Sequence, residues 1–451
     1  MSCGPVGMQR RTRPAARDVR RGLVRKPARR LGLLGGTTTW SDFAAALRLL
    51  ARPRALVEGR FVAAYEVEFA ATIGVRHAVS FAHGRVGLYG ILRALGIGPG
   101  DEVLVPVPTH IVVPNAVRYA GARPVFVDCH PDTWNIDLRE AERLVTERTR
   151  ALLLQHTFGN PADIDGALDL ARRHDIHIIE DCVHALGARH RGRLVGSFGT
   201  AAFFSTEETK TISSTMGGMA VTDDDAIAAS LRAFQERCAR PSASLAASYV
   251  LKLMGYHLLT QPRLHRYTRP LYEALGRRNP LPGATSIEDR TGVRPPGYAQ
   301  RLSNAQAELA ICQLRRLDAN LAHRKRISDV YARVLGPMGG SPPPSHDADR
   351  HALVRYPVRV KDRDAVAGAI APYAVVGLWF TSVLEDAQTP AHGGYTMGAC
   401  PVAEEAARHL INLPTHPRVT EADAEAIATV TAAAMAAREP NPAEHPPPRT
   451  R

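Results

Sequence analysis

The sequence has no apolar run approaching the ~18 residues of a membrane-spanning helix, which argues against a spanning segment. It lacks a secretory signal as well, because its basic N-terminus leads into no clean apolar core followed by a small-residue cleavage site. Cysteine is sparse and scattered: Cys3, Cys129, Cys182, Cys238, Cys312 and Cys400 form no C-x-x-C pair. That usage fits reduced thiols in a cytoplasm and argues against a disulfide framework or a zinc site. Acidic residues are nearly missing from one place only. Residues 1–30 hold ten Lys/Arg against Asp18 alone, a net +9 of the chain's +13, so the other 421 residues carry only +4. Charge so localised gives no reason to expect a nucleic-acid partner. The arm reads as a disordered, solvated tail or as residues ahead of the true start, Met8 being another candidate. An anionic-surface contact and an Arg-rich targeting peptide are the alternatives.

What is present is an ordinary globular composition. The 451 residues are 45% hydrophobic and 22% charged, enough for a large core and more than one domain. Ser41 and Asp42 are placed to cap a helix running to Leu50, and residues 61–73 read as a second helix. Short apolar runs at 103–105, 124–127, 151–155, 176–179, 201–204 and 219–221 then read as strands, with helices such as 85–94 and 165–174 between several of them. Buried parallel strands joined by crossover helices give this alternation, because both faces of the sheet are covered. The fold class is α/β, with a mostly parallel sheet. Residues 240–300 break the pattern, 302–335 read as a long helical region, and 354–360 with 364–373 open a smaller αβ domain. The expected organisation is a basic arm over 1–36, a large domain over 37–239 and an atypical insertion over 240–300. A bridging helix and small C-terminal domain over 301–437 and a disordered tail over 438–451 complete it.

Open α/β sheets bind ligands beyond the carboxyl ends of their strands, and four local features gather there. Gly84-Arg85-Val86-Gly87 follows the strand 78–81 and opens a helix, where small residues let backbone N–H groups and the helix dipole meet a phosphate. Asp181 ends the apolar strand Ile178-Ile179-Glu180-Asp181. It is either a helix cap or a carboxylate that keeps a pyridinium nitrogen protonated, which makes the ring an electron sink. His184, just beyond it, is placed to hydrogen-bond a ring hydroxyl. The segment FFSTEETK leaves a buried strand and carries Ser205, a phosphate donor, and Lys210, whose residue type suits Schiff-base chemistry because its pKa falls on burial. His110 follows the strand 103–105, where a flat side chain can stack on a ring. Each feature has a plain structural reading as turn, cap, packing or solvated charge. Order and spacing decide between the two.

Those spacings resemble the DegT/DnrJ/StrS family of fold type I, pyridoxal 5'-phosphate (PLP)-dependent sugar aminotransferases. The resemblance runs from about Gly59 to Ala432 and includes GIGPGDEVLVP (96–106), PVFVDCHPDTWNID (124–137), HTFGNPADID (156–165) and IIEDCVHALGA (178–188). It continues through GSFGTAAFFSTEETKTISSTMGGMAVT (196–222), RLSNAQAELAICQLRRLD (301–318) and CPVAEEAARHLINLPTHP (400–417). It implies that Lys210 is the Schiff-base lysine and the base that moves protons. Asp181 then partners the pyridine nitrogen, His184 sits beside the ring hydroxyl, Ser205 and Gly84-Arg85 bind the phosphate, and His110 takes the stacking position. The resemblance further implies a homodimer with sites at the subunit interface, an amino donor (usually glutamate) and a keto-sugar acceptor, commonly nucleotide-linked. Arg301 and the Gly377-Leu378-Trp379-Phe380 segment are the candidates to line the substrate side.

Three positions depart from the family pattern. Gly84-Arg85 replaces Gly-Thr, Gly297-Tyr298-Ala299-Gln300-Arg301 replaces Gly-Tyr-Asn-x-Arg, and Met216 replaces an acid before the double glycine. The first two remove phosphate donors, and Arg85 is expected to compensate through charge-assisted bonds. A PLP-dependent sugar dehydratase is the alternative enzyme, although those relatives carry histidine in place of the lysine. A non-catalytic PLP-binding protein is the other alternative. Residues 244–278 combine an apolar stripe with Lys252, Arg263, Arg266 and Arg269. They suit either an interfacial helix on a membrane or, as the favoured reading, a helix packed over the dimer interface.

Overall fold

The computed structural model describes residues 27, 29–270, 285–340 and 350–437. Most of the basic arm, the tail 438–451 and residues 271–284 of the expected insertion therefore lie outside the described residues. Seven strands form the central sheet: β1 (His77–Phe81), β2 (Glu102–Pro106), β3 (Arg123–Val127), β4 (Thr149–Gln155), β5 (His177–Asp181), β6 (Ala201–Ser205) and β7 (Gly218–Thr222). Their spatial order is β1-β7-β6-β5-β4-β2-β3. All neighbouring pairs are parallel except those of β7, which runs antiparallel to both β1 and β6. The apolar runs are continuous because successive residues serve opposite faces. Leu104, Leu152, Leu154, Ile178 and Phe204 enter one core, while Val103, Val105, Leu153, Ile179 and Phe203 enter the other.

Local chemistry sets the helix ends. Helix α1 (Trp40–Leu50) starts one residue before the expected cap. Thr39 holds that position, its hydroxyl accepting from the Asp42 N–H while the Asp42 carboxylate accepts from the Thr39 N–H. Helix α2 (Gly84–Ala94) follows β1 directly, and α3 (Ala243–Leu259) lies within the segment expected to be an insertion. The long helical region 302–335 is two helices, α4 (Asn304–Leu314) and α5 (Leu317–Leu335).

Helix α3 buries Ala246, Val250 and Leu253 against Ala45, Ala46 and Leu49 of α1 and against Ala305 and Leu309 of α4. Half of its apolar stripe is thus core of its own chain. No helix among the described residues is long and apolar enough to cross a membrane. In the smaller αβ region β8 (Arg355–Arg359) pairs antiparallel with β9 (Leu410–Pro414) over Ile327, Tyr331 and Ile427. Leu31 is buried in that same core and bridges Ala374. The boundary expected at residue 36 is therefore too late, because an apolar residue inside the basic arm finds a core to enter.

Candidate active site

A cavity of about 320 Å³ opens at the carboxyl ends of β5 and β6. Eight of the nine expected site residues line it: Gly84, Arg85, His110, Asp181, His184, Ser205, Lys210 and Trp379. A larger open depression of about 650 Å³ around Asp101, Arg123 and Arg148 contains none of them.

Two glycines bring the phosphate side together. A Cβ on Gly218, at the start of β7, would lie 2.3 Å from the Gly84 backbone nitrogen, and one on Gly84 would lie 2.9 Å from the Phe204 carbonyl. Only hydrogen at both places lets α2 begin against the end of β6, beside Ser205. The first turn of α2 receives no side-chain cap from His83, and the positive end of its dipole meets the cavity beside Ser205.

Past Ser205 the chain turns sharply. The Lys210 N–H donates to the Glu207 carbonyl at 3.0 Å, and the hydroxyls of Thr206 and Ser214 are 2.7 Å apart. This turn puts the Lys210 amine inside the cavity. Burial lowers its pKa to about 8, opposed by Glu207 and Asp181 and assisted by Arg355. Burial likewise raises the Asp181 carboxyl to about 6, against a hydrogen bond from the Val183 N–H at 3.1 Å and the charge of Lys210.

The indole of Trp379 closes the other side. Its ring stacks on His184 with centroids 4.4 Å apart and planes 15° apart, and the Lys210 Nζ lies 4.2 Å from its centroid. His184 is buried, which pushes its pKa well below the ordinary value and keeps the ring neutral, and its Nδ1 has no hydrogen-bond partner among the described residues. These groups fit PLP: an uncapped helix start with a serine for the phosphate, a buried acid for the ring nitrogen, an orphaned imidazole nitrogen and a depressed amine.

The family model of the DegT/DnrJ/EryC1/StrS aminotransferases matches residues 39–431. The chain belongs to that family. This aminotransferase, a PLP-dependent enzyme, is 33% identical over 377 residues to a GDP-perosamine synthase of Caulobacter vibrioides, covering 82% of this chain and 88% of the relative. It is 31% identical over 369 residues to a UDP-N-acetyl-3-dehydro-alpha-D-glucosamine 3-aminotransferase of Acidithiobacillus ferrooxidans, covering 81% and 86%. Among solved structures it resembles S. venezuelae DesV in complex with a ketimine intermediate, with a TM-score of 0.68 and 29% identity over 88% of this chain and 94% of that one.

Other expected residues stand differently in this aminotransferase. His110 reaches the cavity wall, but its Nε2 is 3.4 Å from the Asp386 carboxylate and 3.4 Å from the Thr285 hydroxyl. Arg85 is not held for a phosphate alone. Its guanidinium lies 3.2 Å from the fully buried carboxylate of Asp289, and its carbonyl accepts from the Tyr298 hydroxyl. Arg301 is outside the cavity. Its guanidinium donates to the carbonyls of Cys238 (3.3 Å) and Glu236, where the helix Asp225–Arg237 ends and unpaired carbonyls attract a cation. Met216 is also withdrawn: its side chain is fully buried, and its carbonyl accepts from the Gln306 amide at 2.7 Å. The departure at 216 is absorbed by packing rather than by the substrate side.

Two residues escape a reading of the sequence. Arg355 begins β8, and its guanidinium carbon lies 3.7 Å from the Trp379 ring centroid. Asp289 sits in the short helix Ile287–Arg290, within the segment that breaks the α/β pattern. Neither belongs to a motif near Lys210, and no local pattern marks them.

Proposed function

We propose that this aminotransferase moves an amino group from an amino acid, glutamate by preference, to the carbonyl of a nucleotide-linked keto sugar. The observation that carries the reading is the buried, depressed amine of Lys210, set between the Asp181 carboxyl and the Trp379 indole. Bound PLP supplies an electron sink for the charge left when a proton departs the donor carbon. Lys210 is the residue that would hold the cofactor covalently, and its amine, when free, would carry that proton. Its pKa near 8 suits a base working close to neutral pH. Asp181 would keep a proton on the ring nitrogen, Ser205 and the start of α2 would bind the phosphate, and the unpartnered Nδ1 of His184 would serve the ring hydroxyl. Arg355, buried behind Trp379, supplies a cation for the donor carboxylate.

The acceptor class rests on the two relatives above, whose names specify a GDP-linked and a UDP-linked sugar. Because those names differ in sugar and nucleotide, the proposal stops at the nucleotide-sugar class. A homodimer with sites at its interface is part of the proposal. So is a reducing, cytoplasmic setting, in keeping with the free thiols of Cys129, Cys182, Cys238, Cys312 and Cys400. Retention of Lys210 inside the cavity weighs against the dehydratase reading. The test is to add glutamate to the PLP-loaded enzyme and follow the cofactor absorbance as it converts to the amine form, then restore it with a panel of nucleotide-linked keto sugars. No conversion with any amino donor, despite bound cofactor, would favour a binding protein.

A further inference from the structure

Four residues from three parts of the chain, His110, Thr285, Arg290 and Asp386, meet at one wall of the cavity. Backbone pairing brings the last of them to the first. Thr109–His110 and Leu384–Glu385 form a parallel pair in which Glu385 stands opposite His110, and the Ile111 N–H donates to the Glu385 carbonyl at 3.0 Å. One residue on, Asp386 takes a φ of 64°. A left-handed backbone costs energy at a residue with a side chain and persists where the surroundings hold it.

The contacts of His110 occupy the edges of its ring. Nδ1 accepts from the Val112 N–H at 3.4 Å, which places the ring proton on Nε2. That proton is shared between the Asp386 carboxylate and the Thr285 hydroxyl oxygen, each 3.4 Å from Nε2, while the Thr285 hydroxyl donates to Asp386 at 2.9 Å. Arg290 adds a longer ion pair to Asp386 at 3.9 Å. The hydrogen bond from His110 leads the effects that hold the Asp386 carboxyl down at about 2, against its partial burial, so it stays ionised near neutral pH. Glu385 does not compete for the imidazole, because its carboxylate accepts from the Thr381 hydroxyl at 2.9 Å.

With both nitrogens engaged, an imidazole has only its two faces left to offer a ligand. A carboxylate on its N–H fixes the tautomer and the orientation of the ring and raises its electron density. A flat, electron-rich face suits an electron-poor pyridinium in the offset stacking that aromatic pairs prefer. The ring also stands within electrostatic reach of Asp181 and His184, the residues proposed for the cofactor's ring nitrogen and hydroxyl. We infer that Asp386 is a positioning residue of this aminotransferase, which together with Thr285 holds the His110 imidazole so that one face stacks on the cofactor ring. The inference rests on the reading of this cavity as the PLP site. It gives the left-handed residue a task, and it makes the seat of the cofactor depend on the smaller αβ region as well as on the central sheet.

The test uses the PLP-loaded enzyme and two readouts: the dissociation constant for PLP, and the visible circular dichroism of the bound cofactor, which reports how its ring is held. Glycine and asparagine both accept a left-handed backbone, so Asp386→Gly and Asp386→Asn change the carboxylate without straining the chain. Asp386→Gly should weaken PLP binding about tenfold and lower the dichroism at least about twofold, as expected for loss of a hydrogen bond to a charged group. Asp386→Asn, whose amide oxygen still accepts from Nε2, should retain most of both. In a His110→Phe background the stacking ring needs no acceptor, and there Asp386→Gly should change neither readout. Equal losses in that background overturn the inference, because Asp386 would then act on the fold rather than through His110. Parent-like behaviour of Asp386→Gly beside weakened binding by His110→Ala overturns this inference alone. Parent-like behaviour of both variants overturns it together with the placement of His110 against the cofactor.

Discussion

The Lys210 amine lies 4.2 Å from the centroid of the Trp379 indole, joining the lysine of the large domain to a side chain that enters 169 residues later. The indole is part of the cover that depresses the amine. Trp379→Ala should therefore raise the Lys210 pKa from about 8 toward its ordinary value and slow the glutamate half-reaction by at least about tenfold. Trp379→Phe should retain most of the rate. Rapid-mixing spectroscopy across pH reads both effects, and an unchanged profile for the alanine variant would remove the indole from the site.

Lys210→Ala should leave no cofactor attached after borohydride reduction, as read by the mass of the intact protein. Asp181→Asn should keep the attachment but slow the half-reaction by about 10²–10³-fold, because a neutral amide does not hold the ring nitrogen protonated.

Loading of PLP onto the cofactor-free enzyme should follow two titrations. Only the neutral amine is a nucleophile, so the loading rate rises as pH rises through about 8, where burial has brought Lys210. The Asp181 carboxylate is lost as pH falls through about 6, so retention of the cofactor weakens below that value. Loading rates and dissociation constants measured between these limits check both signs.

Arg85 and Asp289 form a buried pair, and removing one partner strands the other. Asp289 keeps a second donor, the Ser286 N–H at 3.1 Å. Arg85→Ala should thus cost about 3 kcal/mol by denaturant unfolding, the low end for breaking a buried pair, whereas Arg85→Met with Asp289→Leu should cost less. If Arg85 also serves the phosphate, PLP affinity falls in both variants. Unchanged affinity would reduce Arg85 to a structural ion.

Arg355→Ala should raise the KM for glutamate about 10–100-fold, the worth of a charge-assisted pair, with a smaller change in kcat. Arg355→Lys should recover part of it. A kcat effect with no KM effect would show that Arg355 supports Trp379 without meeting the substrate.

Much of the sheet and half of the site are legible in the sequence. The apolar runs at 151–155 and 201–204 recur as strands, since a strand buried on both faces needs an unbroken apolar stretch. Asp181 and Ser205 are readable because they are the polar residues that end such strands, at the edge where α/β sheets bind ligands. The break within 302–335 is not readable, because Arg315 and Arg316 are good helix formers.

Residue order alone determined that Gly84, Asp181, Ser205 and Lys210 each follow or end an apolar strand, because strand periodicity and turn chemistry act over a few neighbouring residues. Tertiary structure decided the rest. It put Trp379 over the lysine and Arg355 against the indole, gave Arg85 a buried carboxylate and drew Arg301 away to a helix end. Those outcomes depend on how the small domain and residues 285–301 fold back onto the sheet, and contacts across such distances follow from packing rather than from any local pattern.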